Sequence, residues 1–276
     1  MAGRVVLSVS RTPVYTVAVS LERISAAWNR LATEDPLWAV CVLPGTKGNR
    51  WDRDAFYATG EEEVRSALKR AAELGLDVPG ESRSGRALDF GCGVGRLSLP
   101  LAARFDEVVG LDVSDRMLML ARQAAAERPG GERCTFVRND RPDLGMFDDD
   151  SFDLVYSSLV LQHIPVRFSV VYLAEFVRVL RPGGIAIVHM PADTLRTVKG
   201  MLFRWAPRHL LAAGQRIVLR YPAPMEMHCL PGERVREVLS AGGTGTGVAG
   251  AEVLAADRTE LEGSQWHDVR YYARKK

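Results

Sequence analysis

Three glycines at alternate positions constrain this 276-residue chain more than any other feature. They stand in Arg86-Ala-Leu-Asp-Phe-Gly-Cys-Gly-Val-Gly95, where a short apolar run ends in an acid and breaks at Gly91, Gly93 and Gly95. Residues 96–104 then read as a helix. Strand, glycine turn and helix in that order open a βαβ unit, which holds a ligand at the helix N-terminus. Glycine is needed because the turn demands backbone angles that a Cβ disfavours, and because a Cβ would hold a ligand away from the backbone.

Beyond the motif, apolar strands alternate with amphipathic helices. Strands are expected at 87–90, 107–112, 134–138, 152–156 and 185–189. Helices are expected at 116–127, capped by Ser114-Asp115, and at 168–180, closed by the turn Arg181-Pro-Gly-Gly184. This alternation implies a parallel sheet covered on both faces, an α/β fold. Ahead of it, residues 1–19 read as a tail and 20–85 as a helical arm. The arm's first helix carries Leu21, Ile24, Trp28 and Leu31 and stops before Asp35-Pro36. A capping box, Thr59-Gly-Glu-Glu62, is expected to open its second, which ends at Gly75. After Pro191 the pattern changes to a helical insertion over 192–228, without strands. A helix over 233–241 and closing strands at 248–256 and 269–273 complete a domain over 86–276.

Composition narrows the class. The apolar fraction of 47% and the net charge of +2 are those of a soluble globular chain, with no global case for nucleic acid. Four cysteines without a CxxC pair and five histidines without HExxH suggest neither a disulfide framework nor a metal site. The expected setting is reduced and cytoplasmic. No apolar run reaches the ~20 residues of a membrane span, so no stable insertion is expected.

The ligand follows from the order of the glycines. A dinucleotide turn reads G-x-G-x-x-G, and here Arg96 stands where its third glycine belongs. The spacing instead resembles motif I of class I S-adenosylmethionine-dependent methyltransferases, an acid followed by G-x-G-x-G. The resemblance extends in order through Asp112, Asn139-Asp140, the segment Ser151-Phe-Asp-Leu-Val-Tyr-Ser-Ser-Leu-Val-Leu-Gln-His-Ile-Pro165 and the turn into 185–188. It covers residues 86–191 and is similar to the small-molecule, type 11/25 group. It implies a doubly wound Rossmann-like sheet of seven strands, order 3-2-1-4-5-7-6, with the last strand antiparallel.

The resemblance also assigns residues to S-adenosyl-L-methionine. Gly91, Cys92, Gly93 and Gly95 would cradle its methionine end, with Asp89 either anchoring the turn or holding the ammonium. Asp112 would bind both ribose hydroxyls, since a carboxylate accepts two hydrogen bonds and donates none. Val113 and Met117 pack on adenine or belong to the core. Asn139, Asp140 and Arg141 lie where the adenine amino group is read, and Ser157 lines the pocket. Trp51, Phe56 and Tyr57 either touch the cofactor or pack on the domain.

Methyl transfer needs a base only when the acceptor must lose a proton. His163, just past the fourth strand, is the candidate, with an unperturbed pKa of ~6.5; His228 is a second. The run Ser157-Ser-Leu-Val160 is not the Asn/Asp-Pro-Pro-Tyr/Phe motif of DNA-base methyltransferases, and neither the metal-binding acid of catechol-type enzymes nor the paired glutamates of arginine methyltransferases stands there. A small-molecule acceptor remains. The insertion carries six basic residues against two acids, a net of 6 − 2 = +4. That excess suits an anionic acceptor, an acidic membrane surface reached through Leu202, Phe203 and Trp205, or simply a lid with a solvated charged face. Two alternatives stay open: a non-catalytic S-adenosylmethionine-binding scaffold or sensor, and an NAD(P)-dependent oxidoreductase.

Overall fold

The computed structural model describes residues 14–78, 83–195, 197, 201, 205–242, 249–259 and 266–276. Most of the expected tail lies outside these residues, as do Arg196, Lys199, Leu202, Phe203 and Arg204 of the insertion. The elements are α1 (Val14–Glu34), α2 (Pro36–Val40), α3 (Arg53–Glu73), β1 (Arg86–Phe90), α4 (Ser98–Leu101), β2 (Glu107–Asp112), α5 (Asp115–Glu127), β3 (Cys134–Arg138), β4 (Phe152–Ser158), α6 (Val166–Val179), β5 (Leu180–Thr194), α7 (Arg208–Ile217), α8 (Gly232–Ala241), β6 (Ala251–Thr259) and β7 (Trp266–Lys275). The seven strands form one sheet in the order β3-β2-β1-β4-β5-β7-β6, with β7 antiparallel to both neighbours. Chain order reverses between β1 and β4, so the crevice for a ligand opens at the C-terminal ends of these two strands.

Each face of the sheet is buried by the apolar stripe of its helices. Val64, Ala67, Leu68 and Ala71 of α3 pack on Ala87, Val108, Leu154, Tyr156 and Ile187. Phe168, Leu173 and Phe176 of α6, with Val235 and Leu239 of α8, cover Leu88, Val155, Ala186 and Val188 on the other face. Alternate strand residues therefore serve opposite layers, which accounts for the near-continuous apolar strands.

Several boundaries differ from the sequence reading, each for a local reason. Helix α1 begins at Val14, so residues 14–19, read as tail, are helical. Helix α3 begins at Arg53 because Asp52 caps it, accepting a hydrogen bond from Ala55 N. Thr59 lies inside that helix and donates back to the Phe56 carbonyl, so no capping box forms. The helix expected over 96–104 contracts to Ser98–Leu101, with turns on either side; Pro100 has no N–H to give to the carbonyl of Arg96. The turn at 181–184 survives as a bulge within β5, with Gly183 at φ +80°. Strand β5 runs on to Thr194, into the stretch read as strand-free, because β7 pairs with it as far as Trp266.

One close approach fixes the arm to the sheet. A Cβ on Gly60 of α3 would overlap the backbone oxygen of Arg96 in the turn after β1. Gly60→Ala would gain ~1 kcal/mol of helix propensity, but the forced backbone shift outweighs it. The expected net loss is about 1–3 kcal/mol, read as a lower urea midpoint with an unchanged slope.

Candidate functional site

The glycine turn is as tight as its sequence requires. Gly91, Gly93 and Gly95 have φ of +78°, +53° and +81°, all in the left-handed region. Gly91 and Cys92 donate their N–H groups to the Leu111 carbonyl, which ties the turn to the end of β2. A Cβ on Gly91 would overlap Val160, and one on Gly93 would meet Val40 at 2.8 Å. The turn's backbone thus lies between a wall from α2 and a wall from the segment after β4.

Asp112 closes this floor. Its Oδ2 accepts from Gly93 N at 2.9 Å and its Oδ1 from Ser114 N at 2.8 Å. Burial raises its pKa to about 6, while the Ser114 and Gly93 N–H groups hold it down, so the carboxylate is mostly ionised at pH 7. Each oxygen keeps a lone pair for a further donor, the pair of acceptors that the two hydroxyls of a cis-diol need. Glycine cradle and carboxylate therefore fit S-adenosylmethionine. Asp89, 1% exposed, lies in the layer beneath, accepting from the Ser98 hydroxyl at 2.6 Å. Burial lifts it to about 7, against the opposing Ser98 hydrogen bond and Arg96 charge.

The other expected residues separate into two groups. Val113 is half-buried at the edge, and its carbonyl accepts from Ser25 of α1. Ser157 is fully buried at the end of β4, its hydroxyl without a partner among the described residues. Asp140 and Arg141 are exposed beyond β3. Asn139 shapes that turn, accepting from Arg141 N and donating to the Asp143 carbonyl. The side chains of Cys92 and Met117 are core: Cys92 packs with Leu118, Ala121 and Phe136, and Met117 with Leu31, Phe56, Tyr57 and Val94. Burial pushes the Cys92 thiol well above its ordinary pKa. Trp51, Phe56 and Tyr57 stack edge to face on one another rather than lining an open cleft.

His163 sits in a short helical turn after β4, edge-on to Trp28 of α1. Its Nδ1 lies 2.8 Å from the Glu226 carbonyl, which can only accept, so Nδ1 carries the proton and Nε2 is the basic nitrogen. Burial lowers its pKa to about 4, so the ring is neutral at pH 7. His228 is buried on the same strap as Glu226, the segment 218–231 between α7 and α8, and its backbone N–H is donated to the Gln162 carbonyl.

A polar cluster that the sequence reading missed adjoins the cradle. Glu63 of α3 pairs with Arg96 at 2.7 Å and with Arg270 of β7 at 3.2 Å, and accepts from the Ser158 hydroxyl at 2.6 Å. His189 of β5 completes it, 2.7 Å from the Thr259 hydroxyl. Burial alone would raise Glu63, but the two guanidiniums and Ser158 prevail and hold it at about 2. The run Glu61-Glu62-Glu63 suggests a solvated helix face; the signal against this is phase, because Phe56, Gly60, Glu63, Ala67 and Ala71 share one stripe. Among the described residues, no group of three or more His, Cys, Asp or Glu could hold a metal ion.

Residues 88–188, the stretch that holds the cradle, Asp112 and His163, match the methyltransferase domain family. This stretch is a class I S-adenosylmethionine-dependent methyltransferase domain. The chain is 32% identical over 143 residues to a trans-aconitate 2-methyltransferase of Deinococcus radiodurans, covering 52% of this chain and 50% of the relative. It is 41% identical over 142 residues to a demethylmenaquinone methyltransferase of Clavibacter sepedonicus, covering 50% and 52%. The chain thus spans about half the length of these curated relatives. Among solved structures, magnesium protoporphyrin IX methyltransferase of Synechocystis PCC 6803 superposes with a TM-score of 0.59 at 20% identity, over 92% of this chain and 98% of that one, a likeness of fold.

The missed cluster makes a pH-dependent prediction. Glu63→Gln leaves two buried guanidiniums unneutralised and is expected to cost about 3–5 kcal/mol at pH 7. A folded-state pKa below the ordinary 4.5 means the carboxylate stabilises above pH 4.5 and loses that effect as pH falls toward 2. The penalty, measured by urea unfolding, should therefore shrink below pH 4.5. A penalty independent of pH would show that charge is not its source.

Proposed function

We propose that this protein transfers a methyl group from S-adenosylmethionine to a small, carboxylate-bearing acceptor. The observation that carries the reading is a left-handed glycine turn whose Gly93 N–H is held by a carboxylate, Asp112, that retains lone pairs on both oxygens. Bound there, the cofactor would supply a methyl group on a sulfonium, which the acceptor's lone pair would take in line as S-adenosylhomocysteine leaves as a neutral thioether. Gly91, Gly93 and Gly95 bring the turn's backbone, that of Cys92 included, to the methionine end, and Asp89 braces it from below. Asp112 accepts from both ribose hydroxyls. Val113 forms the adenine wall with Met117 behind it, Asn139 shapes the turn that presents Asp140 and Arg141, and Ser157 offers its unpartnered hydroxyl to the pocket. The protein's task is alignment and exclusion of water, and α1, α2 and the strap that carries Glu226 supply the roof.

Charge supports the acceptor class. Two guanidiniums, Arg96 and Arg270, meet one carboxylate, Glu63, beside the ends of β4 and β5. The Nε atoms of both arginines are buried without hydrogen-bond partners among the described residues. That surplus positive charge favours an anion, in keeping with relatives named as trans-aconitate methyltransferases. A carboxylate attacks without losing a proton, so His163 is needed as a base only if the acceptor is a hydroxyl or amine.

Three measurements test this. Label from methyl-tritiated S-adenosylmethionine, incubated with a metabolite extract, should enter a base-labile ester; cofactor binding without transfer would favour a scaffold or sensor, and a base-stable product would remove the carboxylate. Asp112→Ala should weaken S-adenosylhomocysteine binding by about 1.5–3 kcal/mol, and unchanged affinity would remove Asp112 from the ribose site. His163→Gln should leave kcat within about tenfold, whereas a fall of ~10²–10⁴ would identify general-base catalysis.

A further inference from the structure

Helix α7 presents aliphatic side chains to solvent. Among the described residues its one well-buried side chain is polar: the Gln215 amide donates to the Met225 carbonyl at 3.0 Å and accepts from Met225 N at 2.9 Å. This two-point bond to the strap fixes the helix's rotation about its axis. On the opposite side, Leu210 and Ile217, one heptad apart, point outward, and Ile217 is 76% exposed. The apolar surface continues past the helix end through Val218, also 76% exposed, and Leu219, while Trp205, 78% exposed, precedes the helix. A soluble helix normally shows the reverse arrangement.

The rim of this face is basic. His209, Arg216 and Arg220 are exposed along it. Lys47 donates to the carbonyls of Leu219 and Arg220, adding positive charge and pinning the end of the face to the segment after α2. An apolar stripe with an aromatic residue and flanking arginines matches the chemistry of a membrane interface, where aliphatic groups enter the acyl boundary and cations meet headgroups. A second copy of the chain fits poorly, because a twofold contact would set Arg216 and Arg220 close to their own copies. Nucleic acid leaves the aliphatic stripe without a partner.

We propose that the outward face of α7, with Trp205, Val218 and Leu219, docks this protein peripherally on an anionic lipid surface. The face adjoins the segment after α7 that carries His163's partner Glu226, to which Gln215 is bonded at Met225, so docking would set the roof of the site against the bilayer.

Vesicle co-sedimentation tests this with the full chain. Binding is expected to phosphatidylcholine vesicles containing phosphatidylglycerol, at least about tenfold tighter than to phosphatidylcholine alone, and weakened by salt. The double variant Leu210→Glu/Ile217→Glu should lose binding, and Arg216→Glu/Arg220→Glu should lose the preference for phosphatidylglycerol. S-adenosylhomocysteine affinity, unchanged in both, certifies the fold. The proposal is overturned if the wild-type chain binds neither vesicle. It is equally overturned if folded variants bind as well as wild type, or if the face instead drives a concentration-dependent dimer that Ile217→Glu abolishes.

Discussion

A buried carboxylate holds this molecule's parts together. Glu63 comes from the N-terminal arm, Arg96 from the turn after β1, Ser158 from the end of β4 and Arg270 from β7, so one ion cluster joins four separate stretches of chain. Charges taken out of water are costly, and such a cluster persists only when its geometry repays that cost. Here Gly60 brings the α3 backbone against Arg96, close enough for its guanidinium to reach Glu63. The arm is thereby made part of the domain that holds the glycine turn.

This explains how a side chain as large as arginine can follow the last glycine of the motif. In a dinucleotide fold that place must be bare for helix and strand to meet. Arg96 instead turns its guanidinium to Glu63 of the arm, and Asp112 accepts from the backbone of Gly93 in the turn itself. The first helix completes the enclosure: Ser25 donates to the Val113 carbonyl, and Asn29 Oδ1 accepts from the Ser114 hydroxyl and Arg116 N. The glycine turn and the arm above it are thus held by the same packing. The outward face of α7 is the exception, an apolar surface that the chain's own packing leaves to water.

The sheet was legible in the sequence because strand periodicity, Ser114 as a cap and the glycine turn all act locally. The limits of β2 and β3 fall where the apolar runs end. What the sequence concealed was decided by distant partners. Strand β5 continues to Thr194 only because β7 lies alongside it, and α4 is short because Pro100 cannot bond to a carbonyl already lodged against Gly60. The polar cluster was missed for the same reason: Arg270 is 207 residues from Glu63 in sequence and becomes its neighbour through the crossover to β7. Met117 and Cys92 stand at motif positions, yet their side chains are claimed by the core.

Hydrogen exchange with and without S-adenosylhomocysteine tests the central claim, that arm and cradle form one cooperative unit around Glu63, most directly. The account predicts that the ligand slows exchange in α1 and α3 together with residues 86–95, and that Glu63→Gln uncouples the arm from the cradle. Protection confined to the glycine turn and the end of β2, with the arm unaffected by the ligand, would contradict it.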